Sequence, residues 1–268
     1  MSTYQNVFWG YEIAYPDFWF HKKIADTDYF FLSTYSFDPL YEGEDAGRIA
    51  IRGEWNWARK DIKPLWSEHI GLLAGMMGAK DVGSAPWRMG DAVGMEAEIV
   101  LAKKENRRLW TGILTRGFCV LHFMVVHPIV VREKFEPAAT KILSSLRFPE
   151  KMDGVLTTPE GLPLPPDYSF IDPGSIINNI EEPSKWFAYD GQADIGALQS
   201  FFLRELTKKG WEITEYVPYI TASDLGFARY TIANQQTKLI LGLMPAGTNG
   251  DVEGSPVPAR IVYKLSSA

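Results

Sequence analysis

The side chains able to carry covalent, proton-transfer or metal chemistry are few: one cysteine, Cys119, and four histidines, His21, His69, His122 and His127. A nucleophile needs a base within hydrogen-bond reach. Cys119 and His122 are close in sequence, but three positions along a strand put two side chains on opposite faces. His122 and His127 are opposed in the same way. Cys119 therefore reads as a small buried hydrophobe. His69, central in an apolar helical stripe, reads as a core histidine with a hydrogen-bond partner. The histidines lack the spacing of a zinc site, and a lone cysteine excludes a disulfide within the chain. Glu96 and Glu98 share one strand face, as paired carboxylates must. Their alternation with Met95, Ala97 and Ile99 reads more simply as a solvated face opposite a core. Acidic stretches at 42–45 and 249–253 fall short of the twelve-residue calcium loop, and no phosphate-binding glycine loop occurs. Strand parity thus scatters the reactive groups. No catalytic constellation, metal site or cofactor is expected, and contact surfaces are left as the tools.

Two surfaces stand out. Lys103, Lys104, Arg107 and Arg108 fall within six residues between two strands, a cluster able to grip an anionic partner or to solvate a hairpin tip. The second is a helix whose outer face carries Ser67, Gly71, Ala74 and Gly75 where charges would ordinarily sit. Each interior glycine costs a helix about 1 kcal/mol relative to alanine. A smooth face of that kind lets another backbone approach closely, so a protein partner or the second domain is expected there.

The elements that must position these residues follow from periodicity. Odd positions from 7 to 15 (Val7, Trp9, Tyr11, Ile13, Tyr15) are apolar, which predicts a strand ended by Pro16. Residues 28–35 and 49–57 are further strand candidates. Asp61, Pro64 and Gly78 bound a helix whose stripe is Ile62, Leu65, Trp66, His69, Ile70, Leu73, Met76 and Met77. Strands at 93–101, 109–115 and 118–126 follow, and a closing helix carries Phe135, Ala139, Ile142, Leu143 and Leu146. Five of the seventeen prolines (159, 163, 165, 166, 173) then fall in one short stretch, which reads as an extended connector. The domains expected are 1–150, a proline-rich linker at 151–173, and a smaller α+β domain at 174–268. The last has a main helix at 194–209 and about five strands. The fold class is α+β, two domains each with an antiparallel sheet packed by helices.

Lys and Arg total 27 against 33 Asp and Glu, a net charge of −6, so no global field attracts nucleic acid. The acidity lies mainly after residue 150. The apolar run at 117–131 is interrupted by His122, His127 and Pro128, so no membrane insertion is expected. Without a basic-then-apolar start, a cytoplasmic location is the expectation.

The N-terminal half resembles the PsbP/DcrB-like superfamily. The likeness rests on the opening Gly10-Tyr11-Glu12-Ile13-Ala14-Tyr15-Pro16-Asp17-Phe18-Trp19, on one long helix followed by three strands, and on the closing Ile142-Leu143-Ser144-Ser145-Leu146-Arg147-Phe148. It covers about residues 5–150 and implies an α/β/α sandwich on an antiparallel sheet. Members resemble one another in acting as accessory subunits of photosystem II, Ran-binding factors or chaperones for secreted effectors, mostly without catalysis. The appended second domain and the lack of an export signal depart from that pattern. The functions expected are, in order, a non-catalytic protein-binding or assembly module and a chaperone-like shelter for an apolar client segment. A small-ligand-binding protein or enzyme with a cleft between the domains comes third.

Overall fold

A computed structural model of the chain describes residues 1–38, 40–41, 43–81, 83–101, 106–220, 226–235, 237–246 and 258–266. They divide into two compact units, residues 1–6 with 10–150, and residues 7–9 with 151–268. Among the described residues no helix is long and apolar enough to cross a membrane.

The first unit opens with a hairpin of β1 (Ser2–Asn6) and β2 (Tyr11–Tyr15). The single strand expected at 7–15 is therefore corrected. Gly10 takes φ +73° and its N–H closes on Asn6 O at 2.8 Å, so residues 7–10 form the turn although the apolar alternation runs through them. Next come β3 (Phe20–Ile24), β4 (Thr27–Phe31) and β5 (Arg48–Trp55), then α1 (Ile62–Met77). Two short strands follow, β6 (Ala79–Asp81) and β7 (Ala85–Met89). The long strands β8 (Ala92–Leu101), β9 (Arg107–Arg116) and β10 (Cys119–Pro128) lead to α2 (Arg132–Ser144). The main sheet is antiparallel in the order β3-β4-β5-β10-β9-β8-β6, with β7 also paired to β8.

Pleating decides which side chains meet. On one face Ala97, Ile99, Leu101, Leu109, Ile113 and Val120 pack beneath Leu65, Trp66 and Leu73 of α1. The other face receives α2 through Phe135, Ala139, Ile142 and Leu143, beside the β1–β2 hairpin. The result is the α/β/α sandwich. Asp61 precedes α1 in extended conformation, and Gly78 ends it at φ +64°, its N–H reaching Ala74 O and Leu73 O.

A buried carboxylate ties the hairpin to the sheet. Asp28 accepts from Asn6 Nδ2 at 2.7 Å, Tyr11 Oη at 2.6 Å and His21 Nε2 at 3.0 Å. Burial pushes its pKa up, but the hydrogen bonds from His21, Tyr11 and Asn6 outweigh it and hold the carboxyl below its ordinary range.

The second unit has a short hairpin of β11 (Leu156–Thr157) and β12 (Pro163–Leu164). Its six-stranded antiparallel sheet runs β13-β14-β18-β17-β16-β15. These strands are β13 (Ser169–Ile171), β14 (Trp186–Asp190), β15 (Glu212–Val217), β16 (Ala228–Ala233), β17 (Lys238–Pro245) and β18 (Ala259–Ser266). The stretch 151–173, read from its prolines as connector, is counted with this unit. Proline lacks a donor but not an acceptor, so it is tolerated at the edge of a ladder, as Pro163 is opposite Thr157. Across the unit's core lies α3 (Ile195–Lys208), whose Leu198, Phe201, Phe202 and Leu206 are fully buried. Asp194 caps it by accepting from Ala197 N at 2.9 Å. Gln199 is buried within the same unit, accepting from Tyr216 Oη and Tyr219 N and donating to Tyr219 O. The turn expected at 247–250 lies outside the described residues.

Candidate functional site

The α2 face of the first unit holds a cavity of about 290 Å³. Register explains what lines it. Glu96 stands opposite Gly112 and Glu98 opposite Trp110. Trp110 in turn pairs with Val125, and Arg108 with His127. Even positions of β8 and β9 therefore share a face with odd positions of β10, and all project toward α2. From β7 come Trp87 and Met89, and from α2 Glu136, Ala139, Thr140, Leu143 and Ser144. The expectation that parity scatters the reactive groups is thus overturned. Glu96, Glu98, Arg108 and His127 all line this cavity; Glu98 is exposed, as a solvated strand face implies, and Glu96 is half-buried. Alternation along a strand sets which side chains share a face, but the register between strands and the helix above them decide whether a polar face meets water or a cavity.

The indoles form one wall. Trp87 and Trp110 are edge-to-face, centroids 5.3 Å apart, and Trp87 meets Phe123 the same way at 4.9 Å. Gly112 makes room for them: a Cβ there would lie 3.0 Å from the Trp87 ring and 3.1 Å from Trp110 Cη2. Gly94 is more constrained still, since a Cβ would stand 1.9 Å from Ile113 O.

The polar groups are held in different ways. Trp110 Nε1 donates to Glu96 Oε2 at 3.2 Å. Glu136 Oε2 accepts from Arg132 Nε at 3.0 Å, and its Oε1 lies 3.3 Å from His127 Nε2, a contact that is an ion pair only when the ring carries a proton on both nitrogens. His127 is buried, and its Nδ1 lies 2.8 Å from Pro128 O. A carbonyl only accepts, so Nδ1 carries the proton and Nε2 is the nitrogen turned to Glu136. Arg108 Nε is buried with no hydrogen-bond partner among the described residues. Among those residues no hydroxyl or thiol stands within hydrogen-bond distance of His127. Cys119 shares its strand face but is eight residues away, about 26 Å along an extended chain.

On the opposite face the other histidines meet. Thr111 Oγ1 donates to Phe123 O at 2.7 Å and so accepts from His69 Nε2, also at 2.7 Å. His69 Nδ1 is left as acceptor for His122 Nδ1 at 3.2 Å. His122 Nε2 lies 3.0 Å from Glu54 Oε2, an ion-pair contact without the alignment of a hydrogen bond. Burial, reinforced by the nearby His122, lowers the His69 pKa to about 4. The His122 ring holds the Glu54 carboxyl below its ordinary range against the opposing effect of burial. His69 is the satisfied core histidine that its place in the stripe implies. Its encounter with His122, 53 residues away, was not legible from spacing.

The expected contact residues fare differently. Arg107 and Arg108 do not act together, because adjacent strand residues point to opposite faces. Arg107 is buried, donating through Nη2 to Tyr41 O at 2.7 Å and Asp38 O at 3.3 Å, and Arg108 lines the cavity. Lys103 and Lys104 lie outside the described residues. Ser67, Gly71, Ala74 and Gly75 are exposed on α1, with open space around any Cβ added at either glycine. The exposed Leu72 and Met76 lie beside them, so Met76 does not join the buried stripe.

Comparison with solved structures returns matches over about half of the chain. Similar structures include PsbP (CyanoP) from Synechocystis sp. PCC 6803, at 12% identity over 55% of this chain and 92% of that one, TM-score 0.42. A protein of unknown function from Pseudomonas aeruginosa matches at 12% identity over 53% and 92%, TM-score 0.39. LpqN of Mycobacterium tuberculosis, involved in cell envelope biogenesis, matches at 13% identity over 51% and 81%, TM-score 0.38. These are PsbP/DcrB-like folds, and each match covers about half of the chain. At such identities the likeness is one of fold alone. No family model matches the chain, and no curated protein does.

Proposed function

We propose that the N-terminal unit is a binding module that takes a small organic molecule into the cavity beneath α2 and does no covalent chemistry on it. The observation that carries this reading is the convergence of Glu96, Glu98, Arg108 and His127 on a cavity walled by Trp87 and Trp110. Apolar walls with a few convergent polar groups are the usual form of a small-molecule site. A thermal-shift screen of the full chain against small metabolites, with tryptophan fluorescence as second readout, tests it. Some compounds should raise Tm and perturb the indoles, and Thr140→Trp, at an exposed lining position of α2, should abolish both responses. Compounds that bind that variant equally well, or a screen with no response, would refute the reading.

A second reading is favoured by a different observation. Ser67, Gly71, Ala74 and Gly75 form an exposed small-residue face on α1, and Leu72 and Met76 beside them are 60% and 76% exposed. A protein partner docking there is supported by that combination. Gly71→Glu should then abolish any self-association or cross-linking through this face. Unchanged association would count against a contact there.

A further inference from the structure

We propose that the cavity selects a small organic ammonium ion with an apolar body. This rests on the binding reading above and adds the sign of the ligand's charge. Three carboxylates, those of Glu96, Glu98 and Glu136, line the cavity against one guanidinium, that of Arg108. Glu136 is paired with Arg132. Glu96 has a neutral donor, the Trp110 indole, which leaves its charge uncompensated. Glu98 is felt electrostatically at Arg132 but has no ion pair within 4.0 Å and no hydrogen bond to its side chain among the described residues.

Glu96 and Glu98 are two positions apart on one strand face, about 7 Å along the chain. Like charges that close repel, and a cation seated between them relieves the repulsion. A primary ammonium has three donors to share between two carboxylates. The indoles coincide with this end of the cavity, since Trp110 stands opposite Glu98 and the Trp87 ring lies beside Gly112, opposite Glu96. Indole faces attract cations, most strongly where water is thin. Arg108 sits one step along the register, opposite Val100 on one side and His127 on the other. The guanidinium is thus one register step from Glu98, the same spacing that separates Glu98 from Glu96, and two steps from Glu96 and the Trp87 ring, so the carboxylates outnumber it at this end.

The test uses three near-isosteric probes, 2-phenylethylamine, 2-phenylethanol and 3-phenylpropionate, titrated into the full chain by calorimetry at low salt and neutral pH. The amine should bind at least about tenfold tighter than the alcohol, the scale of one hydrogen bond to a charged group. Glu98→Gln and Glu96→Gln should each weaken the amine about tenfold and leave the alcohol unchanged. Binding of the alcohol or the acid as tightly as the amine overturns the ammonium assignment and leaves the cavity a binding site. Failure of all three probes also overturns this assignment, whereas the wider screen with Thr140→Trp judges the binding reading separately.

Discussion

The main sheet of the N-terminal unit sets a histidine beside a glutamate on each face, and the two pairs have opposite surroundings. Beneath α1, Glu54, His122, His69 and Thr111 form a chain that ends on a backbone carbonyl, with Trp66 and the apolar core packed around it. Beneath α2, His127 and Glu136 border open space that indoles and two further carboxylates share. Residue types and distances are nearly the same. What separates a structural relay from a site is whether the polar groups are packed against one another and the core or border open space. A packed polar network rigidifies the fold, whereas polar groups around a cavity are free to meet a ligand.

The chain on the α1 face depends most on His69. Truncation to alanine removes its ring from Trp66 and leaves Thr111 and His122 without their shared partner. His69→Ala should cost about 3 kcal/mol, from lost packing and unmet buried hydrogen bonds, read as a drop in urea midpoint at unchanged m. A cost below about 1 kcal/mol would mean the chain on the α1 face has no structural role.

Acid should distinguish the faces in the same way. The folded His69 pKa, about 4, lies below its ordinary 6.5. Between those values the unfolded chain binds a proton that the fold refuses. The stabilisation is therefore complete above pH 6.5 and is lost as pH falls toward 4, an effect on the order of 3 kcal/mol. Denaturation at a series of pH values should show this slope in the native chain and its absence in His69→Gln. Asp28 and Glu54, with carboxyls held low, lose their contributions at the acid end of the series, near and below the ordinary carboxylate range. An unchanged slope in the variant would assign the acid sensitivity elsewhere.

The α1 helix was readable from one end to the other, because Asp61, Pro64, the apolar stripe and Gly78 all agree on its limits. The long strands β8, β9 and β10 and the helix α3 were legible for the same reason, sustained periodicity. The β1–β2 turn was not, since Val7 and Trp9 keep the parity of the strand they interrupt, and only the backbone angle at Gly10 betrays the reversal. The cavity was hidden more deeply. Glu96 and Glu98 alternate with core residues whether water or a helix lies above them, and only the pairing with Trp110 and Val125 beneath α2 brings them to one cavity. Register is non-local information, carried by no single segment. His69 and His122 were each readable alone, but their meeting depends on how α1 crosses β10.

The outer surface of α1 offers a smaller effect. Nothing lies within 4 Å of a Cβ added at Gly71 or Gly75. Gly71→Ala and Gly75→Ala should each stabilise the chain by about 0.5–1 kcal/mol, because alanine loses less backbone freedom in a helix than glycine does. A loss of stability in either variant would show that this face is covered in solution, and would move interest from the cavity to the helix.

The smallest expected change in stability is at Glu98, and it sharpens the contrast most. Its side chain has no hydrogen bond or ion pair among the described residues and shares its strand face with the negative Glu96. Neutralising it removes a repulsion without orphaning a partner, so Glu98→Gln should alter stability by less than about 0.5 kcal/mol, with any change toward greater stability. His69 and Glu98 would then stand as opposites on one sheet, the first supporting the fold and the second spared that duty. A destabilisation above about 1 kcal/mol would place Glu98 in a network like that of His69. Glu98 would then serve the fold as His69 does and would not be free to meet a ligand.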